Sequence, residues 1–374
     1  MKILILGGTG AMGVYLVDFF ACNRENQIVV TSRSSHESKR ENVRFVQGNA
    51  RENSFVEELL KYEYDVVVDF MNYNIDDFAS RYVKMLAFTG QYIWFSSSRV
   101  YAYSDSPLTE KSPRLLETTT DHAFLSTNRY ALRKARQEDM LKNSGFHNYT
   151  IIRPYVTYSE DRLQLGVYEK EQWLYRILEG KPLVINKNIL QKKTTMSHGK
   201  DVAYAISKLV GNKKALAQTV QIASGETMKW LDVIDLYMRV IHEKTGITPQ
   251  IYQCGTMLKV DELYEGGYNT IYDREWDRRF DSGLVNDLIG EEVQYTEMKQ
   301  GLQQCLEAFL DGKKQFRTID WDFEAYQDVL TNENTPKECF MNEDDFEKYS
   351  LYKSKTFAEL IGKNGQLEKL VLNY

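Results

Sequence analysis

Apolar positions along the first 150 residues follow two alternating rhythms. Short unbroken runs such as Ile3-Leu4-Ile5-Leu6 and Val66-Val67-Val68 have the look of strands buried on both faces; they predict strands over 2–6, 27–31, 43–47, 65–70, 91–95 and 149–152. Between them the apolar residues recur with the helical period, predicting helices over 11–22, 54–62, 75–88 and 128–143. Alternating strands and helices form a parallel sheet covered on both sides, so the expected fold class is α/β with a doubly wound sheet. After Arg153-Pro154 the rhythm loosens. A helix is expected over 169–178, a short strand over 183–185 after the Gly180-Lys181-Pro182 turn, a helix over 201–210, another sheet strand over 219–223 and a helix over 230–243. Residues 250–310 are mixed, tyrosine-rich and acidic. Residues 1–158 plus about 196–225 are therefore expected to form the sheet domain, and 159–195 plus about 226–330 a smaller, discontinuous C-terminal domain. Residues 331–374 form a weakly amphipathic extension (Phe357, Leu360, Ile361, Leu367, Leu370) expected to pack on the body of the protein.

Composition narrows the function classes. With 374 residues the chain has ample core, and its formal charge of -6 gives no general attraction to nucleic acid or to an anionic membrane. No apolar run reaches membrane-spanning length and no signal peptide precedes the first strand. Cys22, Cys254, Cys305 and Cys339 lie far apart without metal-ligand spacing. They are expected as reduced thiols of a cytoplasmic protein without a bound metal.

Candidate chemistry begins at the first strand. It ends in Gly7-Gly8-Thr9-Gly10-Ala11-Met12-Gly13, and an apolar helix pattern follows directly. Glycines in a strand-to-helix turn let the backbone approach a pyrophosphate, whose charge sits against the helix amino end. Tyr130 and Lys134 stand four apart on one helix face, and a neighbouring cation favours the tyrosinate that proton transfer requires. The spacing also occurs at Tyr204/Lys208, Tyr295/Lys299 and Tyr349/Lys353, but only Tyr130 opens a helix leading into the sixth strand. The fifth strand releases Ser96, Ser97 and Ser98 at its carboxyl end, where open α/β sheets place ligands. The 274–279 stretch (Arg-Glu-Trp-Asp-Arg-Arg) offers guanidinium forks to a diphosphate, or builds an ion-pair network of its own.

Glycine loop, serine cluster, Tyr-x-x-x-Lys and strand order together resemble the extended short-chain dehydrogenase/reductase family, in its nucleotide-sugar epimerase/dehydratase branch. Arg153-Pro154, His198-Gly199-Lys200-Asp201 and Gly48-Asn49-Ala50-Arg51 add to the likeness, which spans residues 1 to about 310. The resemblance implies Tyr130 as acid/base, Lys134 as its cationic partner and a ribose contact, and Ser97 as the hydroxyl that steadies the reacting oxygen. It implies a cofactor cradle of Gly7, Thr9, Gly10, Ala11, Met12 and Gly13, then Ser32 and Arg33, Asn49 and Ala50, Phe70, Met71 and Asn72, and Pro154, Tyr155 and Val156, besides Tyr130 and Lys134. Ser98, Arg99, Tyr158 and His198 are expected on the substrate side, Ser98 also standing in for Ser97.

Three departures from the family pattern matter. Where NAD-binding members carry an acid after the second strand this chain has Ser32-Arg33, so NADP is expected ahead of NAD. Ser98-Arg99 replaces the Asp-Glu of the dehydratases, which argues against sugar 4,6-dehydration. Asp69-Phe70-Met71-Asn72-Tyr73 stands where the family has a small Ala-Ala. The expected activity is an NAD(P)-dependent oxidoreductase or epimerase acting by hydride transfer on a sugar, nucleotide-linked, with no nucleic-acid or membrane partner and with a homodimer as the family habit. Two alternatives stay open: an NADPH-dependent reductase of another small carbonyl compound, and a non-catalytic RNA-binding or regulatory relative of the fold.

Overall fold

The computed structural model describes residues 1–255, 266–313, 315–360 and 368–372; Ile361 and Leu367 of the tail pattern, and 256–265 of the acidic stretch, lie outside them. The chain divides into two compact units. The first comprises Met1–Ser159, Thr195–Thr227 and Arg278–Met298; the second comprises Glu160–Thr194, Met228–Asp277 and Lys299–Tyr374.

The first unit is the expected doubly wound sheet. Its strands β1 (Lys2–Leu6), β2 (Gln27–Ser32), β3 (Val43–Gln47), β4 (Tyr64–Asp69), β5 (Thr89–Phe95) and β6 (Tyr149–Pro154) are joined by a seventh, Gln218–Ile222, and all pair in parallel. Across the sheet the order is β3-β2-β1-β4-β5-β6 and then Gln218–Ile222, with the direction of winding reversing beside β1. Side-chain alternation explains why these runs are apolar throughout. Ile3, Ile5, Val66 and Val68 face the layer containing helices Gly13–Ala21 and Gly199–Leu209. Leu4, Leu6 and Val67 face the opposite layer with helices Asn53–Leu60 and Tyr130–Lys142. Both faces are dry, so a polar residue inside a strand would have no water to meet.

The helix expected over 75–88 is two helices, Ile75–Ala79 and Tyr82–Ala87. The break follows from Arg81, which is buried and donates to the carbonyls of Ala50, Arg51 and Asp77. A guanidinium that must satisfy three carbonyls pulls its own backbone out of helical geometry, and an apolar periodicity does not report it.

In the second unit, Ile251–Cys254 pairs in parallel with Leu183–Asn186 and antiparallel with Glu368–Lys369. The C-terminal extension belongs to this unit. Helix Trp321–Thr331 anchors itself through Gln327, whose side-chain amide bonds both the N–H and the carbonyl of Val184 like an added strand residue. Arg176 pairs with Glu324 and Asp328 among fully buried side chains, and Tyr349 of helix Glu343–Leu360 donates to Asp328. Among the described residues no helix is long and apolar enough to cross a membrane.

Candidate active site

The carboxyl edge of the parallel sheet collects nearly every residue singled out from the sequence. At the end of β1, Gly7 adopts φ +71°, a conformation that costs a side chain dearly, and its N–H donates to Thr31 Oγ1 of β2. Gly13 opens the following helix so close to the loop that a Cβ there would lie 2.5 Å from the Gly8 carbonyl oxygen. Those two glycines serve the fold itself. Gly10 is different: a Cβ built on it meets nothing within 4 Å. Nothing in the fold requires glycine there, whereas a pyrophosphate lying across the loop would. Thr9, Ala11 and Met12 complete a half-buried ribbon in front of the helix amino end.

Gly199 explains the His198-Gly-Lys-Asp motif. A Cβ on Gly199 would lie 2.3 Å from the Ala11 carbonyl oxygen, so the helix Gly199–Leu209 packs straight onto the glycine loop. His198 caps that helix, its Nδ1 accepting from Lys200 N–H at 3.0 Å, and its ring meets Tyr158 edge-on at 5.2 Å. Tyr158 is completely buried. These two residues, expected on the substrate side, act in capping and in the core. Val156 pairs beside Met196 within the same short two-stranded sheet, and Tyr155 packs on Phe280 at 4.8 Å.

Around the remaining cradle, Asn49 Oδ1 closes its own turn on Arg51 N–H, and Ala50 is buried under Arg81. Phe70 stacks on Phe95 at 4.3 Å, Met71 lies against Gly7, and Asn72 is exposed. Pro154 ends β6. Ser32 is buried, with its Oγ accepting from Ser34 N–H, and Arg33 is exposed while its carbonyl accepts from Gln47.

The catalytic candidates converge on the end of β5. Lys134 is 3% exposed and its Nζ donates to the Phe95 carbonyl at 2.7 Å. Ser97, two residues further on, begins a short 3-10 turn in which its Oγ accepts from Arg99 N–H, leaving the hydroxyl proton to donate elsewhere. Arg99 carries its guanidinium back over the Tyr130 ring, 5.5 Å from the centroid, and that of Arg133 stands 5.8 Å from the same centroid. Ser98 is fully buried and donates to the Arg153 carbonyl at 2.9 Å, so Ser97 is the better-placed hydroxyl. Burial pushes the Lys134 ammonium down to about 7; Asp69 and Glu138 work against that shift and Arg133 adds to it.

Below this edge lie Glu138, which the sequence pattern did not single out, and Asp69 and Arg278, which it named only as parts of longer stretches. Glu138, fully buried, takes two bonds from Arg153 and one each from Arg114 and Ser96. Burial alone would raise its carboxyl, but the Arg153 guanidinium wins and holds it below the ordinary range. It lies four residues beyond Lys134 on the same helix face, a spacing that could have revealed it. Asp69 ends β4 and accepts from Tyr92 and Tyr73 hydroxyls and from Met71 N–H; its signal was a lone acid closing an apolar strand. Arg278 is buried and donates to the carbonyls of Tyr101 and Ala102. Of the 274–279 stretch, Arg274 and Arg278 are both interior, so it is no surface network.

Comparison with known proteins fits this geometry. The NAD dependent epimerase/dehydratase family matches residues 3–223. The chloroplast stem-loop binding protein of 41 kDa b from Arabidopsis thaliana is 27% identical over 240 residues, 60% of this chain and 59% of that relative; the chain thus spans about three-fifths of the length of the curated relative it matches. Among solved structures, the Bordetella bronchiseptica enzyme WbmH in complex with NAD+ superposes with a TM-score of 0.60 at 17% identity, over 83% of this chain and 98% of that one. The dTDP-glucose 4,6-dehydratase of Bacillus anthracis with NAD gives 0.61 at 16%, over 86% and 100%. The UDP-glucuronic acid 4-epimerase of Bacillus cereus with UDP-glucuronic acid and NAD gives 0.61 at 15%, over 84% and 100%. At these identities the structural likeness speaks for the fold.

The expectation of NADP is corrected by these findings. The matching family is NAD dependent, and the three solved structures hold NAD. The physical reason lies at the end of β2, where the Ser32 hydroxyl closes its own turn and the Arg33 side chain is exposed. A serine and an arginine adjacent in sequence do not there make a built 2'-phosphate clamp.

Proposed function

The chain belongs to the NAD dependent epimerase/dehydratase family, and from that premise we propose that it is an NAD-using epimerase acting on a nucleotide-linked sugar. The observation that carries this reading is the convergence on β5: Lys134 bonded to the Phe95 carbonyl, Ser97 two residues on, and Arg99 reaching from beside Ser97 to the Tyr130 ring. The loop around Gly10 fits a pyrophosphate, because a Cβ on Gly10 would meet nothing within 4 Å and the helix Gly13–Ala21 begins three residues on. Thr9, Gly10 and Met12 would hold the dinucleotide there, with Phe70 and Met71 walling it. Bound NAD would supply hydride acceptance and return at a carbinol carbon.

The protein's own residues do the rest. Tyr130 takes the carbinol proton and later gives it back, while Ser97 donates a hydrogen bond to the same oxygen. Lys134, four residues further along the same helix, supplies positive charge at the end of β5. Arg99, half-buried beside Ser97, brings a planar cationic group suited to a diphosphate. NAD in place of NADP favours an epimerase that keeps its cofactor over a reductase that releases it at each turnover. A cytoplasmic setting, with its four cysteines as free thiols, and a homodimer complete the reading.

Mass spectrometry of the purified protein under native conditions tests it: retained NAD, with a nucleotide sugar alongside, is the expected result. A second reading draws on the Arabidopsis relative, which is named for stem-loop binding. Tight binding of a structured RNA, with no NAD retained and no hydride transfer to or from nucleotide sugars, would put that reading first.

A further inference from the structure

We propose that Asp69 is a positioning residue of this site: its buried carboxylate is the counter-charge of the Lys134 ammonium. The inference rests on the reading above only in giving Lys134 a catalytic task. Its basis is a mismatch of partners on both sides. Lys134 is buried, yet its Nζ is served by a neutral carbonyl, that of Phe95, and by the face of Trp94, 4.5 Å from the ring centroid. Asp69 is completely buried, yet its donors are two neutral hydroxyls, Tyr92 at 2.7 Å and Tyr73 at 3.1 Å, and the Met71 N–H at 2.9 Å. A buried charge of either sign served only by neutral groups is costly, and two such charges of opposite sign relieve one another.

The two sit around one side chain. Asp69 is the cross-strand partner of Trp94 in the β4–β5 ladder, and Lys134 lies over the Trp94 ring. Other charges facing Lys134 do not substitute. Arg133, its neighbour on the helix, opposes the ammonium. Glu138 favours it but is occupied by Arg153, Arg114 and Ser96. The other cation facing Asp69 is Arg81, which stacks on Tyr73 at 4.3 Å and donates to the carbonyls of Ala50, Arg51 and Asp77. Burial pushes Asp69 up and Lys134 down to about 7, and the Asp69 charge opposes the shift at Lys134. Gln137 ties the helix to this strand end by donating to the carbonyls of Tyr73 and Asn74.

The test is a pH titration of the full chain carrying 13Cε-lysine, with the Lys134 resonance identified by its loss in Lys134→Arg. The unmutated protein should titrate near 7, and Asp69→Asn should lower that midpoint by about one pH unit. An unmoved midpoint overturns the proposal. Tyr92→Phe, which removes a neutral donor but keeps the carboxylate, should shift it by less than about a third of that; a drop equal to that of Asp69→Asn overturns the proposal as well, by assigning the effect to lost packing. If Asp69→Asn does not fold, the unmutated protein decides: the Asp69 13Cγ resonance must show an inflection where Lys134 loses its proton, and its absence overturns the pairing. Calorimetric titration of NAD into the same samples separates the two claims. NAD binding with an unmoved midpoint removes the counter-charge alone, and a shifted midpoint without NAD binding removes the functional reading alone.

Discussion

At the scale of single residues, Tyr130 and Lys134 have separate duties that substitutions can pull apart. Tyr130→Phe removes the proton-carrying oxygen and leaves the glycine loop untouched. Turnover should fall by about 10²–10⁴-fold while NAD affinity, measured calorimetrically, stays nearly unchanged. Lys134→Met removes a charge that the interior tolerates poorly. A lysine pushed down to about 7 by burial burdens the fold most where it is charged in both folded and unfolded chains, at and below neutral pH, and the burden lifts as pH rises toward the unfolded value. Replacing the pair together, Lys134→Met with Asp69→Asn, should therefore raise unfolding free energy near pH 6 by about 1–3 kcal/mol in urea titrations while lowering activity. Stability gained at the expense of function is the mark of a charge held for chemistry.

At the scale of elements, the strand–loop–helix at the amino end separates glycines the fold requires from the one a ligand requires. Gly13→Ala forces a Cβ against the Gly8 carbonyl, and backbone cannot yield as a side-chain tip does. It should cost about 1–3 kcal/mol of stability. Gly10→Val projects into open space, so the melting temperature should hold while NAD binding weakens at least about tenfold. The helix Tyr130–Lys142 repeats the theme along one face, where Tyr130, Lys134 and Glu138 recur every four residues. Only the first two were legible from motif knowledge. Glu138 became visible once Arg153, a residue known from the Arg-Pro motif, turned out to be its partner across β6.

At the scale of the whole molecule, buried carboxylates give the chain opposing responses to acid. Glu138, and Asp328 in the second unit, sit below the ordinary carboxylate range because arginines outweigh the cost of burial. Their contribution to stability is complete above that range and is lost as pH falls through their folded values. Glu324 behaves oppositely: burial pushes it up to about 7 despite Arg176 and Lys181, so the folded chain keeps a proton that the unfolded chain releases. From about 4.5 to 7 that group makes stability fall as pH rises. Glu324→Gln should flatten this slope in urea titrations across the same window. Arg176→Met leaves two buried acids beside Lys181 alone and should destabilise the second unit by about 3–5 kcal/mol.

Much of this was legible without coordinates, because buried parallel strands must be apolar on both faces and helices must show one apolar stripe. Periodicity therefore located the six strands, and strand ends located the ligand edge. It failed at Arg81, where a buried guanidinium breaks a helix that the apolar pattern runs straight through; the family likeness, not periodicity, put His198 and Tyr158 on the substrate side, whereas their side chains serve a cap and the core. The Ser32-Arg33 pair misled for a related reason, since adjacency in sequence says nothing of which way two neighbouring side chains turn. Residue order by itself determined the alternation, the sheet and the chemical types at its edge, all of which depend on local pattern. Only the tertiary structure decided which charges face one another, as Asp69 with Lys134 and Glu138 with Arg153, because desolvation and pairing act between groups that the chain holds far apart.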